Sequence, residues 1–105
     1  MLDTRIIEAR DDVKAAAAAL DCNQPNPAAA QSALDDARCL LDELLTETLW
    51  LPDKSSITRK RESLEEAIKL MNLARGNRRV QGAVIEIADR VVGGLDRLAD
   101  RWTAA

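Results

Sequence analysis

The chain has no histidine, phenylalanine or tyrosine, and only two cysteines, two tryptophans, three prolines and four glycines in 105 residues. Each shortage closes a class of function. Without histidine, the side chain that most often moves protons near neutral pH is missing. Neither cysteine can have a histidine base, and the Glu-x-x-His pairs of di-iron bundles cannot occur. Two thiols without histidine are too few for a structural zinc. Gly76 and Gly82 bracket Asn77-Arg78-Arg79-Val80-Gln81, but no Lys-Ser/Thr follows, so there is no phosphate-binding glycine loop. Few aromatic rings means few stacking platforms for single strands. The longest purely apolar run, Ala15–Leu20, is far below the roughly 20 residues of a membrane span. Met1-Leu2-Asp3-Thr4-Arg5 lacks the basic-then-apolar layout of a signal peptide. The expectation is a soluble cytoplasmic protein with no membrane contact, cofactor, metal or catalytic activity.

The two cysteines, Cys22 and Cys39, also lie too far apart for a disulfide. Cys22 precedes a helix that starts near Asn26, and Cys39 sits about three turns into it, close to 20 Å away. Free thiols are expected.

What is present is helical periodicity. Leu2, Ile6, Ala9, Val13, Ala16, Ala17 and Leu20 make a thin apolar stripe over about Asp3–Asp21. Asn26 is a good N-cap and Pro27 suits a first helical position. Ala30, Ala33, Leu34, Ala37, Leu40, Leu41, Leu44, Leu45 and Thr48 then share a face until Pro52 forces an end near Trp50-Leu51. A third helix starts after Asp53-Lys54-Ser55-Ser56, which holds three possible capping side chains. Its stripe is Ile57, Leu64, Ala67, Ile68, Met71 and Ala74, and Gly76-Asn77 signals a left-handed C-cap. A fourth helix, about Arg78–Trp102, carries Val80, Val84, Ile87, Val91, Leu95, Leu98 and Trp102 in alternating four-and-three spacing. Gly93-Gly94 interrupts it, either as a kink or to let a neighbouring helix approach. Sustained period-two alternation is absent. One all-α domain, an up-down-up-down four-helix bundle, is the expected fold.

Charge is segregated along the chain. Residues 1–53 hold 4 basic and 11 acidic side chains, net −7; residues 54–79 hold 8 and 3, net +5; residues 80–105 hold 3 and 4, net −1. Such blocks make patches that steer partners. Asp35, Asp36, Asp42, Glu43 and Glu47 lie off the apolar stripe of the second helix and form a candidate acidic interaction surface. With Asp3, Glu8, Asp11, Asp12 and Asp21 they make one half negative. Spaced carboxylates on rigid helices imitate nucleic-acid phosphates.

Arg59, Lys60, Arg61, Arg75, Arg78 and Arg79 form a basic, candidate phosphate-binding set. Several sit at helix N-termini, where cations oppose the macrodipole. Broken local rules point to function, and helix N-termini with arginines suit phosphate; salt bridging to the acidic half is the plainer alternative. Ser56 and Lys60 have the spacing of a Ser-Lys dyad, although a capping serine beside a surface lysine is the simpler reading. Trp50, Leu70, Leu73, Ile85 and Val92 miss the stripes and either widen the core or form an interface, including one that makes a homodimer.

This profile of small size, acidity and absent catalytic motifs resembles small phage-encoded inhibitors of the anti-CRISPR type. The resemblance implies a non-enzymatic inhibitor in a bacterial or phage-infected cell, binding a nucleic-acid-handling complex through charged helix surfaces. Two alternatives stand beside it: direct nucleic-acid binding by the basic helix 3–4 segment, and a structural oligomerisation module or adaptor.

Overall fold

The computed structural model describes residues 3–47 and 53–104, which fold as four α-helices with no strand. Helix α1 (Thr4–Leu20) opens at Asp3, whose Oδ1 accepts the backbone N–H of Arg5 at 2.9 Å. Helix α2 (Pro27–Glu47) opens as expected: the Asn26 side-chain oxygen Oδ1 accepts the N–H of Ala29 at 3.1 Å. Each cap satisfies a donor that the helix itself leaves free. Thr48, Trp50 and Leu51 lie outside the described residues.

Helix α3 (Lys54–Ala74) starts earlier than the sequence suggests, ahead of both serines. None of the three expected side chains caps it. Asp53 stands at the cap position in a left-handed conformation (φ 59°), the one non-glycine residue with positive φ among those described. Its carboxylate is drawn across the bundle instead. It accepts the indole N–H of Trp102 at 3.1 Å and pairs with Arg101 at 3.4 Å. Asp tolerates this backbone better than most residues.

Helix α4 (Arg78–Ala104) is capped by Asn77, whose side-chain oxygen accepts the N–H groups of Arg79 (2.9 Å) and Val80 (3.3 Å). The α3–α4 break falls where Gly76-Asn77 predicts it, but not by a left-handed glycine. No glycine here has positive φ, and Arg75 is right-handed at φ −58°. The turn closes through the Asn77 N–H to the Ala74 carbonyl (2.9 Å) and through the buried Gln81, whose Nε2 donates to the Arg75 carbonyl at 2.8 Å. A side-chain amide does the work expected of a left-handed glycine. Helix α4 also runs unbroken through Gly93-Gly94.

The helices form a ring in which α1 packs on α2 and α4, and α3 packs on α2 and α4. Cross-helix pairs fix the antiparallel order. Arg5 reaches Glu47 (2.6 Å), Arg61 reaches Asp42 (3.4 Å), and Arg10 reaches Asp96 (3.0 Å). The rod measures 41 × 22 × 16 Å, the length of α4 at about 1.5 Å per residue. The expected stripes supply the core: Ile6, Val13, Leu34, Leu41, Leu44, Ile57, Leu64, Met71, Val84, Leu95 and Leu98 are fully buried. Ala9 and Ala16 of α1 and Ala30 and Ala37 of α2 are buried with them.

Candidate functional site: a basic groove between α3 and α4

The antiparallel packing of α3 and α4 brings the start of one beside the end of the other. Arg59 and Lys60 in the second turn of α3 meet Arg97 and Arg101 near the end of α4. Together with Ser56, Gly94 and Asp100 they line an open groove of about 470 Å³. It continues along the helix pair as a second hollow of about 260 Å³ that adds Ser63, Glu66 and Arg90. Five cations and two carboxylates line the two hollows.

Lys60 lies half-buried on the groove floor. Its ammonium donates to Ser56 Oγ at 2.7 Å and reaches the Ser56 carbonyl at 3.5 Å. The Ser56–Lys60 spacing therefore does produce contact, and Ser56 serves as the lysine's acceptor. The lysine stem crosses α4 over Gly94, where a Cβ would collide with Lys60 Cε. A Cβ at Gly93 would meet only Arg97 Nη1, at an ordinary van der Waals distance of 3.6 Å. The glycine pair is thus not a kink. Gly94 makes room for the Lys60 side chain of the neighbouring helix.

Burial pushes the Lys60 amine below its ordinary value near 10.5, and Arg59, Arg97 and Arg101 push the same way against a smaller pull from Asp53. Among the described residues no carboxylate lies within ion-pair distance of Arg59, Lys60, Arg90 or Arg97.

The other basic candidates are placed elsewhere. Arg61 turns toward α2 and pairs with Asp42 (3.4 Å) and Glu65 (3.1 Å), its Nε buried without a partner. Arg75 donates to Gln31 of α2. Arg78 and Arg79 are exposed at the far end of the rod. The sequence reading missed Arg90, Arg97 and Arg101, because they sit in a segment of net charge −1. Their spacing of seven and four residues puts them on one helical face, and that was the available signal.

The acidic candidates are largely engaged at home. Arg38 pairs with Asp35 (2.7 Å) and Asp42 (3.0 Å), and Arg5 with Glu47 (2.6 Å) and Glu43 (4.0 Å). Asp36 is exposed near Asp12, whose carboxyl is raised above its ordinary value by burial and then by Asp36, Glu8 and Asp11.

Of the apolar interface candidates, Leu70, Ile85 and Val92 are partly buried and pack against the core, while Leu73 is 81% exposed. Trp50 lies outside the described residues. Both thiols are free and exposed, as expected. No helix is long and apolar enough to cross a membrane, and no metal-binding cluster occurs among the described residues. No family model matches the chain, and neither the curated proteins nor the solved structures yield a relative.

Proposed function

We propose that this protein is a non-enzymatic binding module that grips nucleic acid by its phosphates through the α3–α4 groove. One observation carries the reading: Arg59, Lys60, Arg90 and Arg97 share one groove, and no carboxylate of the described residues neutralises them. Leaving cations without counter-ions is costly for a half-buried lysine unless a partner brings the anion. The groove lining holds no aromatic side chain, so the contact is to backbone phosphate rather than to stacked bases. The acidic α1–α2 half favours approach with the basic side foremost despite the overall charge of −3.

The test is anisotropy titration of labelled single- and double-stranded DNA and RNA at about 0.1 M salt. Micromolar or tighter binding is expected, falling with salt by the slope set by the phosphates contacted. Replacing Arg59, Arg90 and Arg97 by Ala should abolish it. No binding to any of the four probes rejects the reading.

A second reading has its own observation. The crowding of Asp12, Asp36, Glu8 and Asp11 leaves an acidic patch on α1–α2 that suits a basic partner. On this reading the protein inhibits a nucleic-acid-handling complex by occupying its phosphate-binding surface. A protein that binds no nucleic acid, yet blocks such a complex until Asp12 and Asp36 are reversed to Lys, selects it.

A further inference from the structure

The cations of the groove are unevenly spread along it. Arg59, Lys60, Arg97 and Arg101 converge at one end of the rod, with Asp100 the one carboxylate among the groove-lining residues there. Arg90 stands further along beside Glu66. The innermost donor is also the least accessible. Lys60 is half-buried, fixed by Ser56 at 2.7 Å, and laid in the space that Gly94 leaves. An internal phosphodiester carries one charge and is tethered on two sides. A phosphate monoester carries about 1.5 to 2 charges at pH 7, has three free oxygens and is tethered on one side.

We infer that the groove floor around Lys60 is a site for a phosphate monoester, the terminal phosphate of a nucleic-acid strand. The inference rests on the nucleic-acid reading above and narrows it. Lys60 meets the innermost oxygen, while Arg97 and Arg101 hold the outer ones from α4 and Arg59 does so from α3. Arg101 is shared with Asp53 at 3.4 Å and is the weakest of the four. The bound dianion supplies the counter-ion that Lys60 lacks and favours its charged form.

The experiment compares one internally labelled oligonucleotide in three forms: 5′-phosphorylated, 3′-phosphorylated, and with hydroxyls at both ends. One phosphorylated form should bind about tenfold tighter than the hydroxyl form or better, the worth of a charge-assisted hydrogen bond. Gly94→Ala removes no charge but displaces the Lys60 stem. It should bring that ratio close to one with an unaltered circular dichroism spectrum, the phosphorylated strand losing about tenfold and the hydroxyl strand, still held by Arg59, Arg90 and Arg97, losing less. AMP should cancel the advantage of the phosphorylated strand and leave the hydroxyl strand bound.

Equal binding of all three forms overturns the inference and leaves the nucleic-acid reading intact. Absence of all binding overturns that reading and the inference with it. AMP binding as tightly as the phosphorylated strand overturns the strand terminus as the occupant. An end preference unchanged in Gly94→Ala overturns the role of Lys60.

Discussion

The two halves of the bundle handle charge in opposite ways. In α1–α2 the arginines are few and each is spent at least twice. Arg5 holds Asp3, Glu43 and Glu47; Arg10 holds Asp11 and Asp96; Arg38 holds Asp35 and Asp42. In α3–α4 the arginines are many and most stand apart, although Glu66 and Asp100 line the same groove. The first pattern ties helices together. The second leaves a field for something outside. Counting charges does not distinguish them, because both halves look strongly charged on paper. The distinction lies in which charges meet.

The sharpest way to break this comparison is to show that the halves are separate bodies. They share one core, so they should fail together. Leu41→Ala in α2 and Leu95→Ala in α4 both empty fully buried sites. Each should cost about 2–5 kcal/mol, in a single urea transition that circular dichroism and tryptophan fluorescence trace alike. Two transitions would mean that the acidic and basic halves fold independently.

The core was legible in the sequence because burial and helical period are tied by geometry. Residues on the expected stripes, such as Ile6, Leu34, Leu64 and Leu98, are the buried ones. The site was half legible. Arg59 and Lys60 stand out as cations near a helix start, but Arg97 and Arg101 reach them only through the antiparallel contact of α3 and α4. That contact is long in sequence and leaves no local mark. Arg61 shows the reverse error: it is adjacent to Lys60 in sequence, yet one residue turns it about 100° toward α2 and its carboxylates. The roles of Gly94 and of Gln81 were hidden for the same reason, since each is defined by a partner outside its own helix.

A glycine substitution sharpens the contrast next. Gly94→Ala should raise stability by up to about 1 kcal/mol, the helix-propensity difference. The clashing atom is the end of a flexible lysine, which swings into water and regains its hydration. Thermal denaturation reads the gain. A loss would mean that Lys60 stabilises the fold where it lies, and that its site is structural rather than kept open for a ligand.

Arginine removal compares the halves directly. Arg38→Ala breaks two ion pairs and should cost about 0.5–1 kcal/mol, the upper range for partly exposed pairs. Arg97→Ala breaks none among the described residues and should fall within about 0.5 kcal/mol of the parent. Equal costs would erase the difference between spent and unspent arginines.

The smallest effect lies in the titration of one residue in each half. Asp12 is held above its ordinary value near 3.8, first by burial and then by Asp36, Glu8 and Asp11. The folded state therefore keeps a proton that the unfolded state releases, and stability falls as pH rises through that window. The penalty is complete at neutral pH and absent in acid, where both states are protonated. Asp12→Asn should stabilise by a few tenths of a kcal/mol at pH 7, the scale of solvated charge interactions, and by nothing near pH 3. Lys60 is the mirror case. It is held below its ordinary value near 10.5 by burial and by Arg59, Arg97 and Arg101. The folded state gives up the proton first, so stability rises as pH climbs from the lowered value toward 10.5. Lys60→Gln should therefore help at pH 7 and lose its advantage in alkali. The two penalties part on adding AMP. A phosphate monoester in the groove offsets that of Lys60 and leaves that of Asp12 untouched. Melting temperatures of both variants, with and without AMP, measure the difference. Equal responses to AMP would mean that the basic half is no more open to an anion than the acidic one.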